Sequence, residues 1–389
     1  MNISENIKII FLYSSTFLVI SLFAAYLPFW LNKAFGIEAK LIGIILGITG
    51  FLKIFTNSLM VGKIKKYEYL RKTLLLIGFI LILLSLALIF FNNSFNKLTL
   101  IAVIFTILIL FAPIITLIDS ACESLNKNAA KTYGKIRLSG SISFLFGVYV
   151  IGLVIQKVSF SVFPYLLFSA FFLFFLSVVY LPKHDKHNIN LSYSHDYVKV
   201  IKNKKFLIIL IVCSLIQSSH AVYYSFSTIL WHNLGIEMDD VGKLWAWAVV
   251  VEILVFFYIN KANISKNIYA LLLFCTACST TRWILTFYFT DFFTLLIVQS
   301  LHSVSFALTH YIIVVYIYNV VKPRLKLVSL NMYFILSGGL FMTIMTILSG
   351  LIISTYKGQS VYLLMAFICL LSLLFLYCNK RFFINRIKR

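Results

Sequence analysis

Apolar runs of about 20 residues recur along the whole chain, separated by short polar stretches. They lie near 7–31, 40–61, 73–92, 98–122, 136–156, 161–181, 205–230, 241–260, 268–289, 292–319, 328–354 and 360–378. Each run is long enough to cross a bilayer as a helix, and a helix satisfies its own backbone polar groups there. The pattern predicts an all-α polytopic membrane protein with twelve transmembrane helices in two pseudo-symmetric six-helix bundles. The expected divisions are a first bundle over 1–181, a linker loop over 182–204, a second bundle over 205–378 and a basic tail over 379–389. Tyr26-Leu-Pro-Phe-Trp30, at the end of the first run, is no small-residue cleavage site, so that run is read as a retained span.

The halves repeat. Gly36-Ile-Glu-Ala-Lys-Leu-Ile-Gly43 aligns with Gly235-Ile-Glu-Met-Asp-Asp-Val-Gly242 at an offset of 199, and the same offset carries Lys53 onto Glu252. Repeated halves with a site near the midplane are the build of secondary transporters. Lys53, Glu252 and Arg282 fall inside spans, where a charge costs about 2.5–3.5 kcal/mol on insertion scales. They need partners or a wet cavity. A structural Glu252–Arg282 ion pair is one reading. The other is a solute pathway, with Lys53 and Glu252 as equivalents facing a central cavity.

Composition agrees with a membrane protein: 61% of residues are hydrophobic and 12% charged, with a mean hydropathy of +0.97. The +22 net charge suggests a nucleic-acid partner until its distribution is counted. With the N-terminus inside, 26 of the 34 Lys and Arg fall on the cytoplasmic side and 6 on the outer side. That bias places both termini in the cytoplasm of a multi-pass protein of the cell inner membrane, and it excludes nucleic acid. His184, His187 and His195 in the linker lack regular ligand spacing, and Cys275-Thr-Ala-Cys278 sits mid-helix as packing. No Walker loop, nucleotide fingerprint, metal-spaced cluster or serine elbow is present. The chain is therefore read as a non-enzyme without cofactor or metal, and its energy comes from a gradient.

Three groups of residues carry candidate chemistry. In Ile118–Ser143, Asp119 and Glu123 share a helix face and Arg137 opens the next span, followed by the small-residue stripe Ser139, Ser143, Gly147. Asp119 with Arg137 reads either as a polar hinge or substrate contact, or as a salt bridge at the membrane edge. In the seventh run Gln217, His220, Tyr224, Ser227 and Trp231 fall in one arc at 100° per residue. In the tenth, Gln299, His302, Ser303, Phe306 and His310 do the same. Such aromatic faces with a few polar groups suit a small amphipathic solute. Asp291 reads as a helix cap, and Trp30 and Trp231 as interfacial belt residues. The substrate-binding set is Asp119, Arg137, Lys53, Gln217, His220, Tyr224 and His310, and the proton-coupling set is Glu252, Arg282 and His302.

Over nearly its whole length the chain resembles the major facilitator superfamily. Tyr133-Gly-Lys-Ile-Arg137-Leu-Ser-Gly-Ser141, His220-Ala-Val-Tyr223-Tyr224-Ser-Phe-Ser227, Arg282-Trp283 and Gln299-Ser-Leu-His302 followed by His310 look like its phenylpropionate-permease-like branch. More distantly the chain is similar to lactose-permease-like symporters. In that family a span 4 carboxylate pairs with a span 5 arginine, as Asp119 and Arg137 would here, and a span 9 arginine serves a span 10 Lys-x-x-His-x-x-Glu. Arg282 and His302 match that set, but Gln299 replaces the lysine and Ser305 the glutamate. Gly62-Lys-Ile-Lys-Lys-Tyr67 has lysine where the superfamily's loop signature has aspartate. The proline-containing antiporter motif is absent from Ser139–Gly152, which argues against an exporter. The resemblance implies import of a small organic solute, an aromatic carboxylate such as 3-phenylpropionate, by proton symport with alternating access. The partners would be substrate, protons and the bilayer, with the monomer as the working unit. A sugar or nucleoside symporter or uniporter is the alternative, and a non-transporting receptor or scaffold is the rival from another class.

Overall fold

A computed structural model of the chain describes residues 3–61, 64, 66–91, 94, 96–125, 129–183, 197–259, 267–356 and 358–383. Twelve helices in it are long and apolar enough to cross a membrane. They are α1 (Asn6–Phe35), α2 (Ala39–Thr56), α3 (Tyr67–Phe91), α4 (Lys97–Leu125), α5 (Ile136–Lys157), α6 (Phe160–Val179), α7 (Lys204–Asn233), α8 (Met238–Ile259), α9 (Ile268–Tyr288), α10 (Phe292–Val320), α11 (Pro323–Tyr356) and α12 (Val361–Cys378). The main departure from hydropathy is at helix starts. α3 begins at Tyr67 rather than 73 and α11 at Pro323 rather than 328, because polar lead-in turns such as the one tied by the Glu68–Lys72 pair (2.7 Å) are helical without being apolar. The linker histidines His184, His187 and His195, and residues 384–389 of the tail, lie outside the described residues.

Two compact units divide the chain. Unit 1 is Met1–Ile37, Ile48–Leu191 and Glu237–Ala246, and unit 2 is Glu38–Gly47, Ser192–Ile236 and Trp247–Arg389. The first turns of α2 thus belong with unit 2, and those of α8 with unit 1. Glycine permits both crossings. In unit 2 a Cβ on Gly43 would lie 2.9 Å from the Thr346 carbonyl oxygen, and one on Gly350 2.5 Å from that of Ala39. In unit 1 a Cβ on Gly242 would lie 2.9 Å from the Val148 carbonyl oxygen, and one on Gly152 2.6 Å from that of Met238. The start of each crossing helix has backbone N–H groups with no intrahelical partner. The Lys40 N–H donates to Ser354 Oγ (2.9 Å), and the Met238 N–H to Gln156 Oε1 (2.9 Å). The repeat read from sequence is therefore visible in the packing, and Gly36 (φ 59°) and Gly235 (φ 88°) turn the chain at the same point of each half.

Within unit 2, α7 is the central helix: 83% of its most apolar stretch is buried, against 28–50% in the other eleven. Ile209, Ile216, Leu272 and Ile313 pack it against α9 and α10. Trp30 and Trp231 do not form an interfacial belt. Trp30 is buried and stacked on Phe163 (4.9 Å between centroids), and Trp231 is buried edge-on to Tyr223 (6.0 Å), so burial inside the helix packing overrides the belt reading.

Candidate functional site

Unit 1 brings Asp119 and Arg137 together. Arg137 Nη1 lies 3.5 Å from Asp119 Oδ1, with the two side chains 41% and 34% exposed. The buried Tyr13 hydroxyl of α1 donates to the same oxygen, and Phe17, one turn on, lies under the guanidinium at 5.8 Å. The small-residue stripe allows this approach: Ser143 Oγ donates to the Ser14 carbonyl (2.7 Å), and Gly140 packs on Phe17. Glu123, on the same helix as Asp119, and Lys53 on α2 are both exposed.

Unit 2 holds a second cluster, and two helix irregularities build it. α7 is interrupted after Ser218 and resumes at Ala221. There the Ser218 and Ser219 hydroxyls donate back to the Leu215 and Ile216 carbonyls, a competition that bends helices. α10 tightens at Ser300–Ser303, with i→i−3 bonds from Ser300, Leu301 and Ser303, and then widens into a π-helical stretch over Ser303–Leu308. The side chains at these breaks converge on Arg282 of α9, which is 1% exposed. Arg282 Nη1 donates to His220 Nε2 (2.9 Å) and Ser305 Oγ (2.9 Å), and Nη2 donates to Gln299 Oε1 (2.8 Å). Its guanidinium sits 4.3 Å from the Trp283 ring centroid and 5.2 Å from that of Tyr223. His220 Nδ1 faces only the Ile216 and Gln217 carbonyls (3.2 Å each). That network assigns the hydrogen to Nδ1 and makes Nε2 an acceptor.

Glu252 of α8 lies beside His302, with Oε2 3.8 Å from Nε2. The Glu252–Arg282 ion pair allowed by the sequence is not formed. Arg282 has no carboxylate within 4 Å among the described residues, because Gln299, Ser305 and His220 occupy its donors. His302 stacks on Phe306 (5.2 Å, 6°) and Phe306 on His310 (6.5 Å, 10°), a ladder of three rings along α10. His310 Nδ1 meets the Tyr333 hydroxyl (3.2 Å), Tyr224 stacks on His220 (6.1 Å), and Gln217 Nε2 donates to the Phe306 carbonyl (2.9 Å). Asp291 caps α10 by accepting from the Thr294 N–H (2.9 Å), as its position suggests. That bond holds its carboxyl below the ordinary value of 3.8.

The helical-wheel arcs find this cluster but sort it imperfectly. Gln217 serves backbone, Ser227 bonds its own helix at Tyr223, and Trp231 is core. Ser305, Tyr223 and Trp283 fall outside the candidate set, and all three touch Arg282. The position of Ser305, three residues after His302, is the available signal.

The family model described as MFS_1 like family matches residues 6–364 of the chain. The chain belongs to this family. A curated relative, the probable 3-phenylpropionic acid transporter of Escherichia coli (strain K12), is 27% identical over 357 residues, covering 90% of this chain and 92% of the relative. Among solved structures, the nucleoside transporter NupG matches with a TM-score of 0.82 at 15% identity, over 98% of this chain and 99% of that one. An auto-inhibited POT family peptide transporter matches with a TM-score of 0.73 at 11% identity, over 99% and 97%. At those identities the likeness is one of fold. This MFS chain is a multi-pass membrane transport protein and not an enzyme.

Proposed function

We propose that this permease imports a small organic solute, foremost an aromatic carboxylate of the 3-phenylpropionate kind, by proton symport through alternating access. It would act as a monomer in the cell inner membrane with both termini cytoplasmic, as the lysine and arginine bias suggests. The observation that carries the coupling is the 3.8 Å approach of Glu252 to His302 among packed rings. A carboxylate and an imidazole at that distance are within ion-pairing range whenever the imidazole is protonated, so the protonation of one group favours the charge on the other. Glu252 carries the transported proton, with His302 and Arg282 tuning it. The ring ladder His302–Phe306–His310, with Tyr224 nearby, supplies flat surfaces for an aromatic solute. Asp119 with Arg137 serves as a polar hinge in unit 1. The 27% relative supports the carboxylate. The same ring surfaces suit a nucleobase, which keeps nucleoside transport as the second reading.

Glu252→Gln in proteoliposomes tests the coupling. Accumulation driven by a pH gradient is lost, while exchange at equal concentrations on both sides persists. Unchanged accumulation would transfer the proton to His302. Cysteines at Lys53 and Glu252 should also react with a small hydrophilic maleimide, and substrate should slow the reaction. Absence of labelling at both would place these positions against lipid or packed protein.

A further inference from the structure

Arg282 has five N–H donors, and three are used. Nη1 spends both of its hydrogens on His220 and Ser305, and Nη2 spends one of two on Gln299. Nε–H is buried with no partner among the described residues. The unused donors are Nε–H and one Nη2–H, which belong to neighbouring nitrogens of one planar group and match the two oxygens of a carboxylate. All three partners present are neutral acceptors, with His220 held in the neutral tautomer, so the guanidinium keeps its full charge. A buried charge without a counter-charge is costly in a membrane and marks a place where an anion belongs. Two other cations, Arg137 and Lys53, stand in the substrate-binding set read from the sequence, and they differ. Arg137 has Asp119 as counter-ion, and Lys53 is exposed.

We propose that the unpaired edge of Arg282 is the carboxylate subsite, taking a planar monocarboxylate bidentately through Nε and Nη2, with Gln299, Ser305 and His220 holding the fork in place. This rests on the transport reading above and chooses, within it, an organic acid over a nucleoside or sugar. The nearby His302 ring, 5.2 Å from His220, links the subsite to Glu252. An anion on Arg282 and a proton on the Glu252–His302 pair favour one another by electrostatics, and that reciprocity produces symport of one proton with one monoanion.

The test is binding by calorimetry to the purified full chain in nanodiscs, using 3-phenylpropionate and its neutral isostere 3-phenylpropionamide. Wild type should bind the acid at least roughly tenfold more tightly than the amide, the scale of a charge-assisted hydrogen bond. Arg282→Lys, which keeps the charge but loses the fork, should weaken the acid roughly tenfold and leave the amide unchanged. Arg282→Gln should abolish the preference. Equal binding of acid and amide by wild type overturns the proposal without needing any variant to fold, and so does an acid preference that survives in a folded Arg282→Gln. Counterflow separates this from the wider reading. Counterflow of a nucleoside with no binding of the acid removes the carboxylate subsite but leaves a transporter. Absence of counterflow with acids, sugars and nucleosides alike removes the transport reading itself.

Discussion

Each unit holds an arginine among packed helices, and the two charges are handled in opposite ways. Arg137 in unit 1 faces a carboxylate at 3.5 Å, leaves about two-fifths of its side chain exposed and has a tyrosine sharing its partner. Arg282 in unit 2 is sealed between the Trp283 and Tyr223 rings, donates only to neutral oxygens and an imidazole nitrogen, and leaves two donors over. A compensated, half-wet pair contributes at most about 1 kcal/mol and can open and close at little cost. An uncompensated buried cation does not settle until an anion arrives. The first arrangement suits a joint and the second a binding site.

The comparison breaks most sharply if unit 2 is made to resemble unit 1. Gln299→Glu places a carboxylate where Gln299 Oε1 now accepts from Nη2 at 2.8 Å. Uptake of an organic acid should then fall about 100-fold, the loss of a charge-assisted bidentate contact, while the melting temperature holds or rises. Unimpaired uptake would mean that the lack of a counter-charge is unimportant. Next comes His220. His220→Leu, which leaves Nη1 short of an acceptor, should cost roughly tenfold in uptake. His220→Gln, which restores an accepting oxygen, should recover most of it with the wild-type pH profile; a displaced profile would mark His220 as a proton carrier. Unit 1 should respond less. Asp119→Asn should lower transport about fivefold with normal membrane insertion, as befits a half-exposed pair. Exchanging the two residues, Asp119→Arg with Arg137→Asp, should restore it if the pair is only a joint.

The smallest effect concerns the Asp291 cap, outside both clusters. The Thr294 N–H lowers its carboxyl below the unfolded value, so its contribution to stability is present above that value and is lost as pH falls through the lower, folded one. Asp291→Asn keeps an accepting oxygen without the titration. It should flatten the acid limb of a melting-temperature profile slightly, and identical limbs would discount the cap.

The number of spans, the repeat and the Asp119–Arg137 meeting are legible in sequence because each follows from hydropathy or short-range spacing. The environment of Arg282 is legible only in part. A helical wheel assumes 100° per residue, whereas α7 is interrupted after Ser218 and α10 tightens and then widens between Ser300 and Leu308. Ser305, inside the widened stretch of α10, meets the guanidinium beside Gln299, whereas Gln217 is taken up by the Phe306 carbonyl. The irregularities arise from hydroxyls bonding carbonyls of the preceding turn, a competition that residue type allows but does not dictate.

The crossed starts of α2 and α8 bear on what counts as half a molecule. Each compact unit borrows ten residues from the opposite half of the sequence, Glu38–Gly47 in one direction and Glu237–Ala246 in the other. That is a reciprocal swap within a single polypeptide. A fragment ending in the linker therefore carries an unfilled glycine groove at Gly152 and an orphaned segment at residues 38–47, and its counterpart carries the complementary defects at Gly350 and residues 237–246. Neither fragment alone should then fold as a self-sufficient domain, and co-expression of the two is expected to restore an assembled transporter that Gly350→Leu or Gly152→Leu prevents.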